Sequence, residues 1–149
     1  DTGTSGIFTG DMFGLSYREF DVAGRPFIFP TTTPVQFEPD AMQASIERLL
    51  ALQPEAMYLT HYSRIGDVPT HGATLLRLLA AMVAIGEAEA TPDDARHGRI
   101  KGRLTGLLRD ELRQHGCTLP EAEMLALLET DLELNAQGLE VWLDTRRKH

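Results

Sequence analysis

The sequence predicts an α/β fold that is followed by an all-α C-terminal region. Two short apolar runs, at residues 7–9 and 56–60, have the composition of buried strands, and a helical pattern lies between them. After residue 94 the apolar residues recur only at helical spacing. We therefore expect an α/β region at residues 1–86, an acidic linker at 87–94 and a helical region at 95–149.

Composition and charge limit the classes of function. The chain has 149 residues, the size of one domain, and its 14 Lys and Arg against 22 Asp and Glu give a net charge of −8. Without a basic surplus, a nucleic acid is not expected as a partner. The single cysteine, Cys117, excludes an intrachain disulfide and fits a reducing compartment. We see no leader pattern and no apolar run close to the ~20 residues that span a bilayer. A cytoplasmic protein without a membrane partner is therefore expected.

The first strand pattern, at residues 7–9, ends at Asp11 in a turn that Gly10 and Gly14 flank. Glycines on both sides leave the backbone open to the close approach of a ligand or a metal ion. The alternative role for this aspartate is to cap a turn or the next helix. The turn-like residues 2–6 lack a preceding strand, so we expect the chain to begin inside a larger protein.

Residues 12–37 are predicted to form a long irregular loop that is rich in aromatic side chains. Loops of this length are usually functional or disordered, and the aromatic content argues against disorder. The three threonines at 31–33 precede Pro34 in a stretch that is not helical, and they offer hydroxyl groups to a pocket. Covering a core edge is the alternative role for most of the rings.

Proline and glycine positions predict where the helices begin and end. Pro39 suits the first turn of a helix, and Pro54 predicts that this helix ends near Gln53, before the strand at 56–60. A second helix is expected to run from about Pro69 to Gly86.

The C-terminal region is predicted to hold two helices. Gly116 marks the end of the first of them. Gly102 and Gly106 weaken the first helix, and residues 135–138 are expected to bend or break the second.

Asp11 and His61 each follow the C-terminal end of a predicted strand. In α/β folds ligands bind at that edge, because the loops that leave the strands converge there. A carboxylate and an imidazole suit Zn²⁺ or another borderline divalent metal. A catalytic zinc normally keeps about three protein ligands, so these two residues alone do not complete a site.

Three segments in this order resemble the second half of a metallo-β-lactamase-fold hydrolase. They are FTGDMFG at 8–14, TTTP at 31–34 and LTHY at 59–62, and the likeness covers roughly residues 1–86. The resemblance implies an αββα sandwich with one or two metal ions, zinc or alternatively iron or manganese, at the edge between the sheets. It implies that Asp11 bridges two ions and that His61 is the last histidine ligand.

The same resemblance implies metal-assisted hydrolysis of a small-molecule substrate, in which the metal lowers the pKa of a bound water. Tyr17, Arg18, Thr32 and Tyr62 are the expected substrate-binding residues. Packing is the alternative role for the two tyrosines, and an exposed surface position for Arg18.

The chain departs from the family pattern in one respect. The His-x-His-x-Asp-His cluster that supplies the other ligands belongs upstream of Asp11, where this sequence does not contain it. We therefore expect this stretch to be inactive alone and to need the missing N-terminal half of the fold or a second subunit. The alternative hypothesis is a non-catalytic module, whose C-terminal helices pack against a partner or a second copy in a dimer.

Overall fold

The structure, a computed structural model, describes residues 6–10, 15–22, 27–30, 38–53, 56–59, 63–65 and 68–147. Over these residues the chain forms four α-helices, five short strands and one turn of 3₁₀ helix at Arg18–Phe20. The helices are α1 (Pro39–Ala51), α2 (Val68–Ala88), α3 (Arg96–His115) and α4 (Glu121–Arg147). The strands are β1 (Gly6–Gly10), β2 (Leu15–Ser16), β3 (Ile28–Phe29), β4 (Ala56–Leu59) and β5 (Ser63–Ile65).

The strands form two small sheets. In the first, β1 pairs in parallel with β4, and β5 adds to β4 in the antiparallel direction. A parallel pair needs a crossover connection, and helix α1 lies within it. In the second sheet, β2 and β3 pair over two residues each, with Leu15 opposite Phe29 and Ser16 opposite Ile28.

The predicted αββα sandwich is wrong, and so is the resemblance to the metallo-β-lactamase fold. The described chain is predominantly helical: its helices hold 13, 21, 20 and 27 residues, whereas its strands hold between two and five. A sandwich needs two sheets whose inner faces together build a core. A three-stranded sheet and a two-stranded ribbon are too small to build one. The long amphipathic segments after Pro39 decide the architecture instead.

An aromatic cluster occupies the described part of the predicted irregular loop, residues 15–22 and 27–30. Phe20, Phe27 and Phe29 are buried, and their rings meet at centroid distances of about 6 Å, with Phe20 edge-on to Phe27. The rings therefore pack with one another around the β2–β3 ribbon. The prediction of an irregular segment at residues 12–37 was wrong for this part of it, because ring packing fixes the backbone there.

Contacts divide the chain into two compact units. The first holds the described residues of 6–30 together with Pro39–Ala80, and the second holds Glu38, Ala81 and the described residues that follow Ala81. Both sheets and α1 belong to the first unit, and α3 and α4 belong to the second. The predicted boundaries at residues 86 and 94 are not tested by this division and stay predictions.

Helices α3 and α4 form an antiparallel hairpin with an apolar seam. Its buried side chains recur three or four residues apart on both helices: Ile100, Leu104, Leu108 and Leu112 on α3, and Met124, Leu128, Leu132, Ala136, Leu139 and Leu143 on α4. This spacing places each set on one face of its helix. The hairpin is therefore held first by apolar burial.

Gly116 ends α3 as predicted. Its φ of 102° is in the left-handed region, which glycine adopts without a Cβ clash. The Gly116 N–H donates to the Arg113 carbonyl and the Cys117 N–H to the Leu112 carbonyl, both at 3.0 Å, which is the Schellman arrangement. Arg113 Nη1 also donates to the carbonyls of Cys117 and Leu119. The turn into α4 is thus capped by backbone and side chain together.

Two other predicted interruptions are absent from the described helices. Helix α2 passes through Gly86 and continues to Ala88, and α4 runs unbroken through residues 135–138. A Cβ on Gly86 would lie 3.2 Å from Leu139 Cδ2, so packing within the second unit uses the absence of a side chain there. Tertiary packing overrides the local preference at these positions.

Helix α2 is more apolar than the sequence analysis expected. The helix has 21 residues, and an 18-residue window within it has a mean hydropathy of 1.4, so it is long and apolar enough to cross a membrane by length and composition. Core helices of soluble proteins pass the same test. Leu75, Leu78, Leu79 and Met82 of α2 are buried within the structure, and 33% of the apolar window of this helix is buried in all.

Candidate functional site

Most of the predicted site lies outside the described residues. Asp11, His61, Thr32 and Tyr62 all belong to that part of the chain, so the metal and substrate roles predicted for them stay predictions. Zinc binding, hydrolytic activity and a cytoplasmic location are likewise untested. Among the residues that the structure describes, no group of three or more His, Cys, Asp or Glu side chains could hold a metal ion.

Tyr17 lies at the edge of the aromatic cluster. The Tyr17 ring lies 6.0 Å from the Phe20 ring, nearly perpendicular to it, and 6.0 Å from the Phe29 ring. Arg18 is the first residue of the 3₁₀ turn. The contacts of Tyr17 are those of a packed side chain, which was the alternative role for this residue.

The most extensive polar arrangement lies between α3 and α4. Helix α3 carries six Lys and Arg residues against two Asp and Glu, and α4 carries two against seven. Because the helices are antiparallel neighbours, their opposite charges meet along one side of the hairpin. We call this set the ionic seam; it consists of Arg96, His97 and Lys101 on α3 and Glu129, Glu133, Glu140 and Asp144 on α4.

Arg96 is the most buried member of the ionic seam, with a side chain that is 4% exposed. Its Nε donates to Glu140 Oε1 at 3.2 Å and its Nη2 to Asp144 Oδ1 at 2.9 Å. Burial lowers the pKa of Arg96, but the hydrogen bonds to Asp144 and Glu140 outweigh it and hold the pKa above its ordinary value. Arg96 therefore fixes the start of α3 to the last turns of α4.

His97 lies between two carboxylates of α4. Its Nδ1 is 2.7 Å from Glu140 Oε2, and its Nε2 is 2.7 Å from Glu133 Oε2. Glu133 and Glu140 are seven residues apart, so they lie two turns apart on the same face of α4. A single imidazole thus spans two turns of the neighbouring helix.

Lys101 completes the ionic seam one turn further along α3. Its Nζ donates to Glu129 Oε1 at 2.5 Å and to Glu133 Oε1 at 3.3 Å. The hydrogen bond to Glu129 is the main cause that raises the pKa of Lys101. Each carboxylate of the seam therefore accepts from a cation of α3. Such an arrangement joins two helices and leaves no seam carboxylate as a free general base.

A second charged group surrounds the start of α3. Arg99 donates to Glu89 Oε2 at 2.8 Å and to Asp93 Oδ2 at 2.7 Å, and Arg103 Nε lies 3.3 Å from Glu89 Oε1. The hydrogen bond to Asp93 is the largest cause of the raised pKa of Arg99, and the same bond holds the pKa of Asp93 below its ordinary value. Both arginines therefore form ion pairs with carboxylates of the same chain.

Helix α3 also presents a surface without side chains, which we call the glycine face: Gly98, Gly102 and Gly106, each four residues from the next. Among the described residues, a Cβ on Gly98 or Gly102 would meet no atom within 4 Å. One on Gly106 would meet only Arg109 Nη2, at 3.7 Å. Packing among these residues does not explain the three glycines.

An apolar cavity of about 410 Å³ lies in the first unit, between the end of α1 and the start of α2. The described residues that line it are Leu50, Gln53, Val68, Pro69, Ala73 and Leu76. Gln53 is the one polar side chain among them. A mostly apolar lining with few polar groups is ordinary for a ligand pocket, so the lining of this cavity does not by itself assign a function.

Sequence reasoning missed the ionic seam and one of the three residues of the glycine face, Gly98. The signals that were available are the opposite charges of the two helices and the repeated four-residue glycine spacing. Gly102 and Gly106 were interpreted only as residues that weaken the helix.

Comparisons with known proteins do not add a family. No protein-family model matches the chain, and neither a curated protein nor a solved structure shows significant similarity to it. The resemblance to metallo-β-lactamases thus gains no support from these comparisons, and the fold contradicts it.

Proposed function

We propose that helices α3 and α4 form a non-catalytic self-association module, which binds a second copy of the chain through the glycine face of α3. The observation that carries this proposal is the open space above Gly98, Gly102 and, beside Arg109, Gly106. Each glycine inside a helix costs about 1 kcal/mol relative to alanine. Three of them at a four-residue spacing lower the stability of α3 without a packing gain among the described residues.

A surface of this kind suits close contact between helices. Where side chains are absent, two helix backbones approach closely enough for Cα–H groups to contact carbonyl oxygens. The four-residue spacing keeps the open strip on one side of α3 for more than two turns. A second helix laid along this strip would recover in intermolecular contacts what the glycines cost the monomer.

The charges beside the glycine face favour a second copy as the occupant. Arg99 and Arg103 are paired with Glu89 and Asp93 in the same chain, and Arg109 with Asp110 and Glu121. Two identical faces can therefore meet without bringing unpaired like charges together. A two-fold arrangement would set each glycine face against the other, and such isologous contacts are the commonest in homodimers.

Light scattering coupled to size exclusion tests the proposal with the full chain. The native chain is expected to elute as a dimer, and Gly102→Leu to weaken the dimer at least tenfold, because the leucine side chain blocks backbone contact. Ala126→Leu places the same side chain on an exposed position of α4 and should leave the dimer unchanged. A native chain that stays monomeric at all concentrations, or equal behaviour of the two variants, would refute self-association through α3.

A further inference from the structure

His97 occupies a geometry that a neutral imidazole cannot satisfy. Both ring nitrogens lie 2.7 Å from carboxylate oxygens, Nδ1 from Glu140 and Nε2 from Glu133. An ionised carboxylate only accepts hydrogen bonds, and a neutral imidazole has one N–H to donate. Only the imidazolium ion donates to both partners. With a neutral ring, one bare nitrogen would face a carboxylate at a distance that requires a proton between them.

The other charged groups around His97 do not remove this requirement. On α4, Glu133 also accepts from Lys101 and Gln137, and Glu140 also accepts from Arg96. On α3, the neighbouring cations Arg96 and Lys101 are themselves held by Asp144 and Glu129. Glu89 and Asp93, before α3, contact Arg99 and Arg103 and not His97. Each of the two carboxylates that face the imidazole thus also accepts a hydrogen bond from a cation of α3.

We infer that His97 is a proton-dependent clamp between α3 and α4, which holds two turns of α4 when the imidazole carries both protons and releases one of them when it loses a proton. The inference does not rest on self-association, because every contact lies within one chain. The positive charge of His97 is also among the causes that hold the pKa of Glu133 below its ordinary value, after the hydrogen bonds from Gln137 and Lys101.

The pH dependence follows from proton linkage. The closed clamp binds one proton more than a hairpin with a neutral imidazole, so its contribution is present at mildly acidic pH, where the two glutamates are still acceptors, and is lost as the pH rises. Histidine side chains change charge between about pH 5 and 8. The clamp therefore makes the α3–α4 hairpin more stable at mildly acidic than at mildly alkaline pH.

Nuclear magnetic resonance of the full chain, labelled with ¹⁵N in its histidine rings, observes the proton directly. At about pH 6, both ring nitrogens of His97 are expected to show the shifts of protonated nitrogen, and one of them should change as the pH is raised to about 8.5. A spectrum with one bare nitrogen at about pH 6 would overturn the inference. This measurement needs no substitution and does not depend on a variant that folds.

A double-mutant cycle tests the consequence. His97→Gln, Glu140→Gln and the double variant are compared with the native chain by thermal unfolding at about pH 5.5 and pH 8.5. The coupling between the two positions is the non-additive part of their Tm changes. It is expected to be about 4 °C smaller at the higher pH than at the lower pH. His115→Gln, on the same helix but outside the ionic seam, reports the background change. Equal coupling at the two pH values would contradict the clamp.

Discussion

Helices α2 and α3 both contain glycines, and the two helices use them differently. A Cβ on Gly72 of α2 would lie 2.4 Å from Leu50 Cδ2, and Gly86 is close to Leu139 and Trp142. On α3, Gly98 and Gly102 have no neighbours within 4 Å among the described residues. Helix α2 is held by close apolar contact, whereas α3 is held by its apolar seam and its ion pairs and leaves its glycine face open. Glycine inside a helix therefore marks a packed surface in one case and an unoccupied one in the other.

Of the variants that test this difference between α2 and α3, the one that removes the carboxylates bound to Arg96 should lower the free energy of unfolding most. The double variant Glu140→Gln and Asp144→Asn leaves a guanidinium that is 4% exposed without its two anionic partners. We expect a loss of roughly 3 kcal/mol in the free energy of unfolding, the lower end for a broken buried pair, because Asp144 is half exposed. Denaturant unfolding measures it. The matched control, Glu129→Gln on the exposed end of the seam, should cost less than about 1 kcal/mol.

A stability loss no larger than that of the Glu129 control would show that the apolar seam alone holds α3. Helices α2 and α3 would then differ only in whether their glycines are packed against other residues.

The next effect should come from Gly72→Ala. The added methyl group overlaps Leu50, so the side chain or α1 must move, and we expect a loss of about 1–2 kcal/mol in the free energy of unfolding. Adding Leu50→Ala to the same chain removes the overlapping atoms. The alanine at residue 72 should then cost less than it does in the native background. An unchanged midpoint for the single variant would mean that Leu50 turns away freely, and Gly72 would no longer count as a packed glycine.

Gly102→Ala should have the opposite sign. Alanine has a higher helix propensity, and its Cβ meets no described atom, so the monomer should gain about 0.5–1 kcal/mol. Unfolding must be measured at concentrations where light scattering finds the monomer, since association would mask the gain. A destabilised monomer would indicate that internal packing does use Gly102.

Acidification should produce the smallest change, through Glu133 on α4 and Asp93 just before α3. The hydrogen bond from Gln137 is the largest cause that keeps the pKa of Glu133 below 4.5, and the bond from Arg99 is the largest that keeps the pKa of Asp93 below 3.8. Carboxylates with lowered pKa values stabilise the fold above their ordinary pKa. That contribution is lost as the pH falls through the lowered value.

We therefore expect the midpoint of thermal unfolding to fall below about pH 4.5. The Glu133→Gln variant should lose less stability than the native chain over the same pH range, because it lacks the carboxyl group that titrates. If the native chain and this variant had parallel profiles, the lowered pKa of Glu133 would make no contribution to stability.

Local signals in the sequence predicted the helices well and the sheets poorly. Pro39 begins α1 and Gly116 ends α3 as predicted, because capping depends on residues within one turn. Gly86 and residues 135–138 misled the prediction, since packing against other helices determines whether a helix continues there. The strand patterns at 7–9 and 56–60 do form strands, but pattern alone did not show how few residues would pair.

The ionic seam could not be read from local pattern. Its partners are between 28 and 48 residues apart in the chain, and the hairpin alone brings them together. The charges of α3 and α4 indicate that the helices attract each other, but not which pairs form. For Asp11 and His61 the sequence remains the basis of the metal prediction, because both lie outside the described residues.

The short turn between α3 and α4 also sets the rotational phase of one helix against the other. Its ends are fixed by the Gly116 cap and by Arg113, which holds the carbonyls of Cys117 and Leu119. Successive residues of an α-helix are about 100° apart around its axis, so inserting or deleting one residue in this turn would rotate α4 by that angle. The acidic side of α4 would then face away from Arg96, His97 and Lys101, and polar side chains would enter the apolar seam. A change in the length of this turn is therefore incompatible with the hairpin.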